Sequence, residues 1–437
     1  MPRPKSSDEP GMSAGPCFAH AAGVRARAPG SGGVLLVEQY FYPEGWGGAE
    51  IPREVAAAIR GAGIEITVVC GTEQYLPADA APGVPHPGDS GVKILRVPRL
   101  LPGSNRSRRA LRALGFSICA FAMLAARRGL RLIITQTNPP LVVPAIALAA
   151  AIRRVPFIII AQDLYPEVLF ASNLLDIGSW RGRALNALFG WGYRRAHKVI
   201  VLGQCMAQRV RAKGVPPERI TTISNWATGQ PAVRAADNPL RARWNLQDRF
   251  VVLYSGNLGI GHEFDTLLDG VRVAAQSTPQ LQLVLIGGGA RYEEVRRRTR
   301  ALGMEDRVRF FDFVSADELN WSIGLADLAV VTLRTGFEGI IVPSKFFGYM
   351  ARAVPTLYIG PDDDIAAIIR RADCGAVCGP NDSAQVAKVL STAAADPALR
   401  CRWGDNAHRA YEQQFRRELA LERYVGVVEE ALGNSRR

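Results

Sequence analysis

The segment RFVVLYSGNLGIGHEFDTLL, Arg249 to Leu268, decides the fold. An apolar, β-rich run leads into a turn carrying Gly256, Gly259 and Gly261, and an amphipathic stretch follows. That is the strand–loop–helix unit of a parallel sheet, with glycines where backbone N–H groups must approach a ligand at a helix start. The unit repeats C-terminally. LQLVLIG (281–287), VRFFDF (308–313), DLAVVTL (327–333) and TLYIG (356–360) read as further strands, and Gly287, Gly288 and Gly289 repeat the glycine turn.

An equivalent series precedes it: VLLVEQ (34–39), IEITVVC (64–70), VKILRV (92–97), LRLIITQT (130–137), PFIIIAQ (156–162) and KVIVL (198–202). Glu54 to Gly61 and Leu141 to Arg154 read as helices between them, and His408 to Leu432 as one closing amphipathic helix. The alternation lapses around Asn225 to Gln247, where Pro231 and Pro239 fall. The predicted fold class is α/β, two Rossmann-like doubly wound domains facing a cleft. The first covers 33–230 and the second 231–410; 411–437 forms a C-terminal helix packing back across the junction. Residues 1–32, rich in Pro, Gly, Ala and Ser, read as a disordered leader.

Composition narrows the partners. The chain of 437 residues is too long for one ordinary core. Its 53 Lys and Arg against 40 Asp and Glu leave a net charge of +13, which suits anionic ligands or an acidic surface. The basic residues are not interleaved with stacking aromatics, which argues against nucleic acid. The stretch 98–131 carries eight Arg and no acid around an apolar segment. It can lie on an anionic membrane surface, and a buried helix with solvated Arg flanks fits the same pattern. No apolar run reaches the roughly 20 residues of a spanning helix. The seven Cys are odd in number and scattered, which fits reduced thiols. Cys374 and Cys378 have no second ligand pair beside them, so no metal and no cofactor are expected.

The loops after the strands carry the candidate chemistry. In the first half, Gly45, Gly47 and Gly48 precede a helix near Pro52. In the second, GFEGIIVPSKFFGYMA (336–351) places Ser344 as a cap and Lys345 in the first turn of a helix. A cation opposes the positive end of the helix dipole unless an anion sits there. Lys345, Ser344 and the helix N–H groups then face a diphosphate, with Glu338 in the loop before them.

In several segments the chain resembles glycosyltransferase family 4. These are QYFYPEGWGGAE (39–50), AQDLYPEV (161–168), HKVIVLGQCM (197–206), ISNWA (223–227), LYSGNLG (253–259), IGGGARYEE (286–294) and FEGIIVPSKFFGYMARAVP (337–355). They run in family order from about residue 33. The resemblance implies a retaining enzyme of the GT-B fold, similar to bacterial capsule and O-antigen sugar transferases. It implies a nucleotide-sugar donor held by the second domain and a lipid-linked saccharide acceptor held by the first, on the cytoplasmic face of the plasma membrane. Donor-binding residues are then Gly48, Gly256, Asn257, His262, Gly288, Ser344 and Lys345, and catalytic residues are Asp163 and Glu338. Many members carry a pair of Glu in the last segment, the second on the donor ribose; Glu338 stands for the first and Gly348 fills the slot of the second. Asn257 and His262 replace the usual Arg and Lys, and Gln162 with Asp163 replaces a His-Asp pair. A sugar-nucleotide 2-epimerase of the same fold and a non-catalytic sugar-nucleotide binder are the alternatives.

Overall fold

The computed structural model describes residues 33–41, 50–72, 91–97, 106–227 and 238–434. The N-terminal 32 residues, the segment with Gly45, Gly47 and Gly48, the start of the basic stretch at 98–105 and the segment around Pro231 lie outside these. The first domain comprises β1 (Gly33–Glu38), α1 (Glu50–Gly61), β2 (Ile66–Cys70), β3 (Lys93–Arg96), α2 (Arg106–Ala126), β4 (Leu130–Gln136) and α3 (Val142–Arg153). It continues with β5 (Phe157–Ile160), α4 (Glu167–Ala171), α5 (Trp180–Arg195), β6 (Lys198–Val201), α6 (Gln204–Ala212) and β7 (Ile220–Thr222).

The second domain opens with α7 (Pro239–Arg243), β8 (Phe250–Ser255), α8 (Asp265–Ala274), β9 (Leu281–Ile286), α9 (Tyr292–Ala301) and β10 (Val308–Phe311). Then come α10 (Ala316–Gly324), β11 (Leu328–Thr332), α11 (Lys345–Ala351), β12 (Thr356–Ile359), α12 (Asp364–Ala372) and β13 (Gly375–Cys378). Three helices close the chain: α13 (Ser383–Ala395), α14 (Pro397–Gln414) and α15 (Arg417–Asn434).

All strand pairs are parallel, in the orders β3-β2-β1-β4-β5-β6-β7 and β10-β9-β8-β11-β12-β13. Both sheets are doubly wound, and the order reverses between β1 and β4 and between β8 and β11. Strands covered on both faces read as unbroken apolar runs, which is why FVVLY and LQLVLI are buried throughout. The predicted strands are all present. The short edge strands β7 (ITT) and β13 (GAVC) escape a reading based on apolar runs.

The helix expected over His408–Leu432 is broken in two. Phe415 leaves helical geometry at φ −125° and sets its buried ring 5.2 Å from that of Phe347, tilted by 52°. The chain then restarts as α15, which packs Tyr424, Val427, Val428 and Ala431 against Leu36, Leu132 and Ile158 of the first sheet. So α14 covers the second domain and α15 the first. Tyr411 of α14 ties the crossing by donating its hydroxyl to the Ala227 carbonyl at 2.8 Å.

Tyr424 lies edge-on to Trp226 at 6.0 Å, and its buried hydroxyl has no hydrogen-bond partner among the described residues. Removing that oxygen relieves an unpaired polar group, whereas removing the ring opens a cavity. Tyr424→Phe is expected to stabilise the protein by about 1 kcal/mol and Tyr424→Ala to destabilise it by about 3–5 kcal/mol. Thermal unfolding midpoints check both signs.

Candidate active site

The carboxyl ends of β8 and β9 meet in two interlocked loops. Gly256 donates its N–H to the Ile286 carbonyl at 2.9 Å, and Leu258 donates to the Gly288 carbonyl at 2.8 Å. Gly287, at φ +128°, sits so close that a Cβ there would lie 2.2 Å from the Gly256 oxygen. Only glycine permits both the conformation and the approach.

Lys345 enters this neighbourhood from α11. Its Nζ lies 3.6 Å from the centroid of the Tyr254 ring, and the Gly256 position would bring a Cβ to 3.4 Å from its Cε. The Nζ is covered and has no hydrogen-bond partner among the described residues. Burial holds its pKa well below that of an ordinary lysine. Tyr254 is fixed by donating its hydroxyl to the Asn257 carbonyl at 2.8 Å, and the Tyr349 hydroxyl accepts the Ser255 N–H at 3.0 Å.

His262 faces the same group. Its Nδ1 lies 2.8 Å from the Thr332 carbonyl, which can only accept, so Nδ1 carries the proton and Nε2 keeps its lone pair. Burial, with Lys345 adding to it, lowers the His262 pKa to about 3. The ring is therefore neutral at physiological pH and offers a hydrogen bond, not a charge.

Ser344 does not cap α11. Its backbone is already helical (φ −60°, ψ −23°), so Oγ cannot turn back to the first-turn N–H groups, and the residue is exposed. The helix does begin at Lys345. Gly348, in the slot of the family's second Glu, has only the Arg352 Nη1 near a would-be Cβ, at 3.8 Å. That guanidinium is held by the Gly348 carbonyl and by Asn320.

The Glu338 loop lies against the glycine turn after β8. A Cβ on Gly261 would meet Ile341 at 2.5 Å and Phe337 at 3.1 Å. The Glu338 Oε2 accepts the Gly336 N–H at 2.7 Å, which orders the loop. The first domain grips the same loop. Arg209 Nε donates to the Glu338 carbonyl at 2.6 Å, and Gly339, at φ +68°, leaves no room for a Cβ beside Cys205. Asp364 secures the contact by accepting the N–H groups of Gln204 and Cys205 at the start of α6, at 2.8 and 2.9 Å.

Asp163 stands on the other side of this junction. Its N–H donates to the Thr137 Oγ1 at 3.2 Å, and the next residue, Leu164, donates to the Ile340 carbonyl at 2.9 Å. The backbone thus brings the Asp163 and Glu338 loops together across the domains. Burial raises the Asp163 carboxyl to about 6. Gln162 is spoken for, since it exchanges amide hydrogen bonds with Asn225 at 3.2 and 3.4 Å.

A cavity of about 480 Å³ flanks these loops, lined by Ile260, Glu263, Asp265, Ala290, Arg291, Glu294 and Arg334. None of the residues singled out in the sequence lines it. Arg291 is paired with Glu294 and Asp265 there, while Arg334 is anchored by its N–H on the Gly261 carbonyl. Both cations, and Tyr254, were missed because their roles come from loop packing and no local spacing marks them.

Two family models match the chain: a glycosyl transferase 4-like domain over residues 47–226, and a glycosyl transferases group 1 domain over 237–410. The chain belongs to the GT-B glycosyltransferases of the family 4 type. The probable glycosyltransferase WbjE of Pseudomonas aeruginosa is 26% identical over 346 residues, 77% of this chain and 84% of that protein. An alpha-D-kanosaminyltransferase of Streptomyces kanamyceticus is 24% identical over 270 residues, covering 61% and 67%. The crystal structure of Anabaena Alr3699/HepE in complex with UDP-glucose superimposes with a TM-score of 0.68 at 17% identity, covering 91% of this chain and 99% of that one.

In this transferase Lys345, half-buried with its amine covered, has a stability signature. Its folded pKa lies below the unfolded value of about 10.4. Between the two, the unfolded chain holds the proton and the folded one does not, so stability rises with pH through that window. Lys345→Met is expected to raise the thermal midpoint at pH 7, with the advantage shrinking towards pH 10. A series of melts across this range checks it.

Proposed function

We propose that this glycosyltransferase moves a sugar from a nucleoside-diphosphate donor to a lipid-linked saccharide acceptor, with retention, in surface polysaccharide biosynthesis at an anionic membrane face. The observation that carries the donor half is the covered Lys345 amine between the Tyr254 ring and Gly256, without a hydrogen bond among the described residues. An amine kept dry, its pKa held well below that of an ordinary lysine, gains protonation when a diphosphate arrives, so the interaction strengthens as the leaving group gains charge. The binding of UDP-glucose by the structurally similar HepE supports this reading. Gly256, Asn257 and Gly288 line the approach, His262 contributes a neutral nitrogen, and exposed Ser344 lies at the rim. Gly48, outside the described residues, completes the donor set in this reading. No metal or cofactor is required, because Lys345 supplies the countercharge.

Glu338 faces the sugar and favours its developing positive charge. Asp163 positions the acceptor hydroxyl and receives its proton, a role suited to a carboxyl raised to about 6. Lys345→Ala is expected to lower kcat/KM for the donor by about 100-fold or more. Asp163→Asn should lower kcat with donor affinity intact, and the wild-type rate should fall below pH 6 as Asp163 takes up a proton. Unchanged turnover in either variant removes that residue from its role.

The acceptor half rests on a surface. Among the described residues, nine of the twelve exposed large apolar side chains lie on α2, α3 and the segment 174–188. Leu111, Leu114 and Ile118 form one stripe on α2, Leu148 and Ile152 another on α3, and Trp180 opens α5 at 70% exposure. Exposed Arg128, Arg154, Arg181 and Arg183 stand among them. Exposed apolar side chains on elements that also expose arginines suit the headgroup region of an anionic bilayer. No helix among the described residues is long and apolar enough to cross a membrane. Wild type should sediment with vesicles of phosphatidylcholine containing phosphatidylglycerol and not with phosphatidylcholine alone. An Ile177→Ser, Trp180→Ser double variant should remain largely in the supernatant; equal sedimentation by both proteins contradicts the docking face.

A further inference from the structure

The steps above leave unused a pair of buried polar side chains at the order reversal of the first sheet. Glu38 closes β1 and Gln136 closes β4. In the register of these strands Val37 stands beside Thr135, so the next step sets Glu38 beside Gln136, about 4.8 Å apart along the sheet. Strand alternation turns both side chains to the face of Leu36 and Ile134, the side covered by α1 and α15. Glu38 is 3% exposed and Gln136 4%. The Glu38 Oε1 accepts the Tyr40 N–H at 3.3 Å, but its Oε2 and the Gln136 Nε2 have no partner among the described residues.

Buried polar atoms are almost always paired, and an orphan calls for an explanation. Two orphans on adjacent strand ends, at the point where sheets of this winding take their ligands, have a common one. Burial raises the Glu38 carboxyl to about 8, opposed only by the backbone N–H groups of Tyr40 and Gln39. Cations stand on the surrounding elements. On α1 and α15, Arg53 and Arg417 both approach Glu54. On β3, Arg96 directs Nη1 at the Gly71 carbonyl and at Cys70, the β2 neighbour of Glu38. At neutral pH the site therefore presents an O–H from Glu38 and an N–H from Gln136, two donors without net charge. That pattern fits a neutral oxygen with free lone pairs and offers no countercharge to an ion.

We infer that Glu38 and Gln136 form a subsite that hydrogen-bonds a neutral oxygen of the acceptor saccharide, a ring hydroxyl or an acetamido carbonyl, and selects which sugar is accepted. This rests on the saccharide-acceptor half of the proposed function. A row of polar groups leads from the subsite along the strand ends to the reacting side: Thr137 accepts the N–H groups of both Gln162 and Asp163.

The test uses the full chain and three probes, the methyl α-glycosides of glucose, mannose and N-acetylglucosamine, followed by saturation-transfer NMR. Wild type binds at least one probe, and the binding weakens above pH 8 as Glu38 ionises. Glu38→Gln keeps a neutral donor, so it retains the affinity within about 3-fold and loses that pH dependence. Glu38→Ala and Gln136→Leu weaken binding by about 10-fold or more, the scale of one lost hydrogen bond. No probe bound by wild type, affinity in Glu38→Ala equal to wild type, or a pH dependence that persists in Glu38→Gln overturns the assignment. Thermal shifts with a panel of UDP- and GDP-sugars, run on the same proteins, separate the two readings. Their absence in wild type defeats the donor reading, while the glycosides alone judge the subsite.

Discussion

The candidate site depends on one steric constraint, the approach of the β8 and β9 loops to within a distance that no side chain could share. With Gly287 against the Gly256 carbonyl, the two loops lock through backbone hydrogen bonds and stay short. That leaves a dry slot above Tyr254, which the Lys345 stem fills from the next layer. A substituted glycine would push the loops apart, admit water to the amine and return it to an ordinary lysine. The chemistry of Lys345 is thus a consequence of backbone packing on other strands.

The second constraint is the junction between the domains. The loop carrying Glu338 belongs to the second domain, yet Arg209, Cys205 and Leu164 of the first hold its backbone. Asp364 reciprocates by satisfying the N–H groups that open α6. The last two helices add a strap, with α14 on one domain and α15 on the other. Asp163 and Glu338 are therefore placed by contacts between elements far apart in the chain.

The same distinction explains what could be read before the structure. Buried parallel strands must be continuous apolar runs, so FVVLY and LQLVLI announced themselves, and two such series implied two doubly wound domains. Short edge strands such as ITT carry no such signal. The oddity of Lys345 at a helix start was visible locally, because it contradicts the helix dipole. Its seat over Tyr254 was not, since nothing near residue 345 encodes residue 254. Ser344 had the composition of a cap but not the backbone of one, and residue type alone does not specify φ and ψ. Glu38 looked like the end of a strand until burial and its missing partner set it apart.

Proton counting during donor binding tests the central role of Lys345 most directly. Calorimetric titration of a nucleotide sugar into the full chain at pH 8, in buffers of different ionisation enthalpy, reports the protons taken up. A covered amine with a depressed pKa that meets a diphosphate gains protonation. Net uptake by wild type that vanishes in Lys345→Met is the predicted result. Binding with no buffer dependence, or uptake unchanged in the variant, contradicts it.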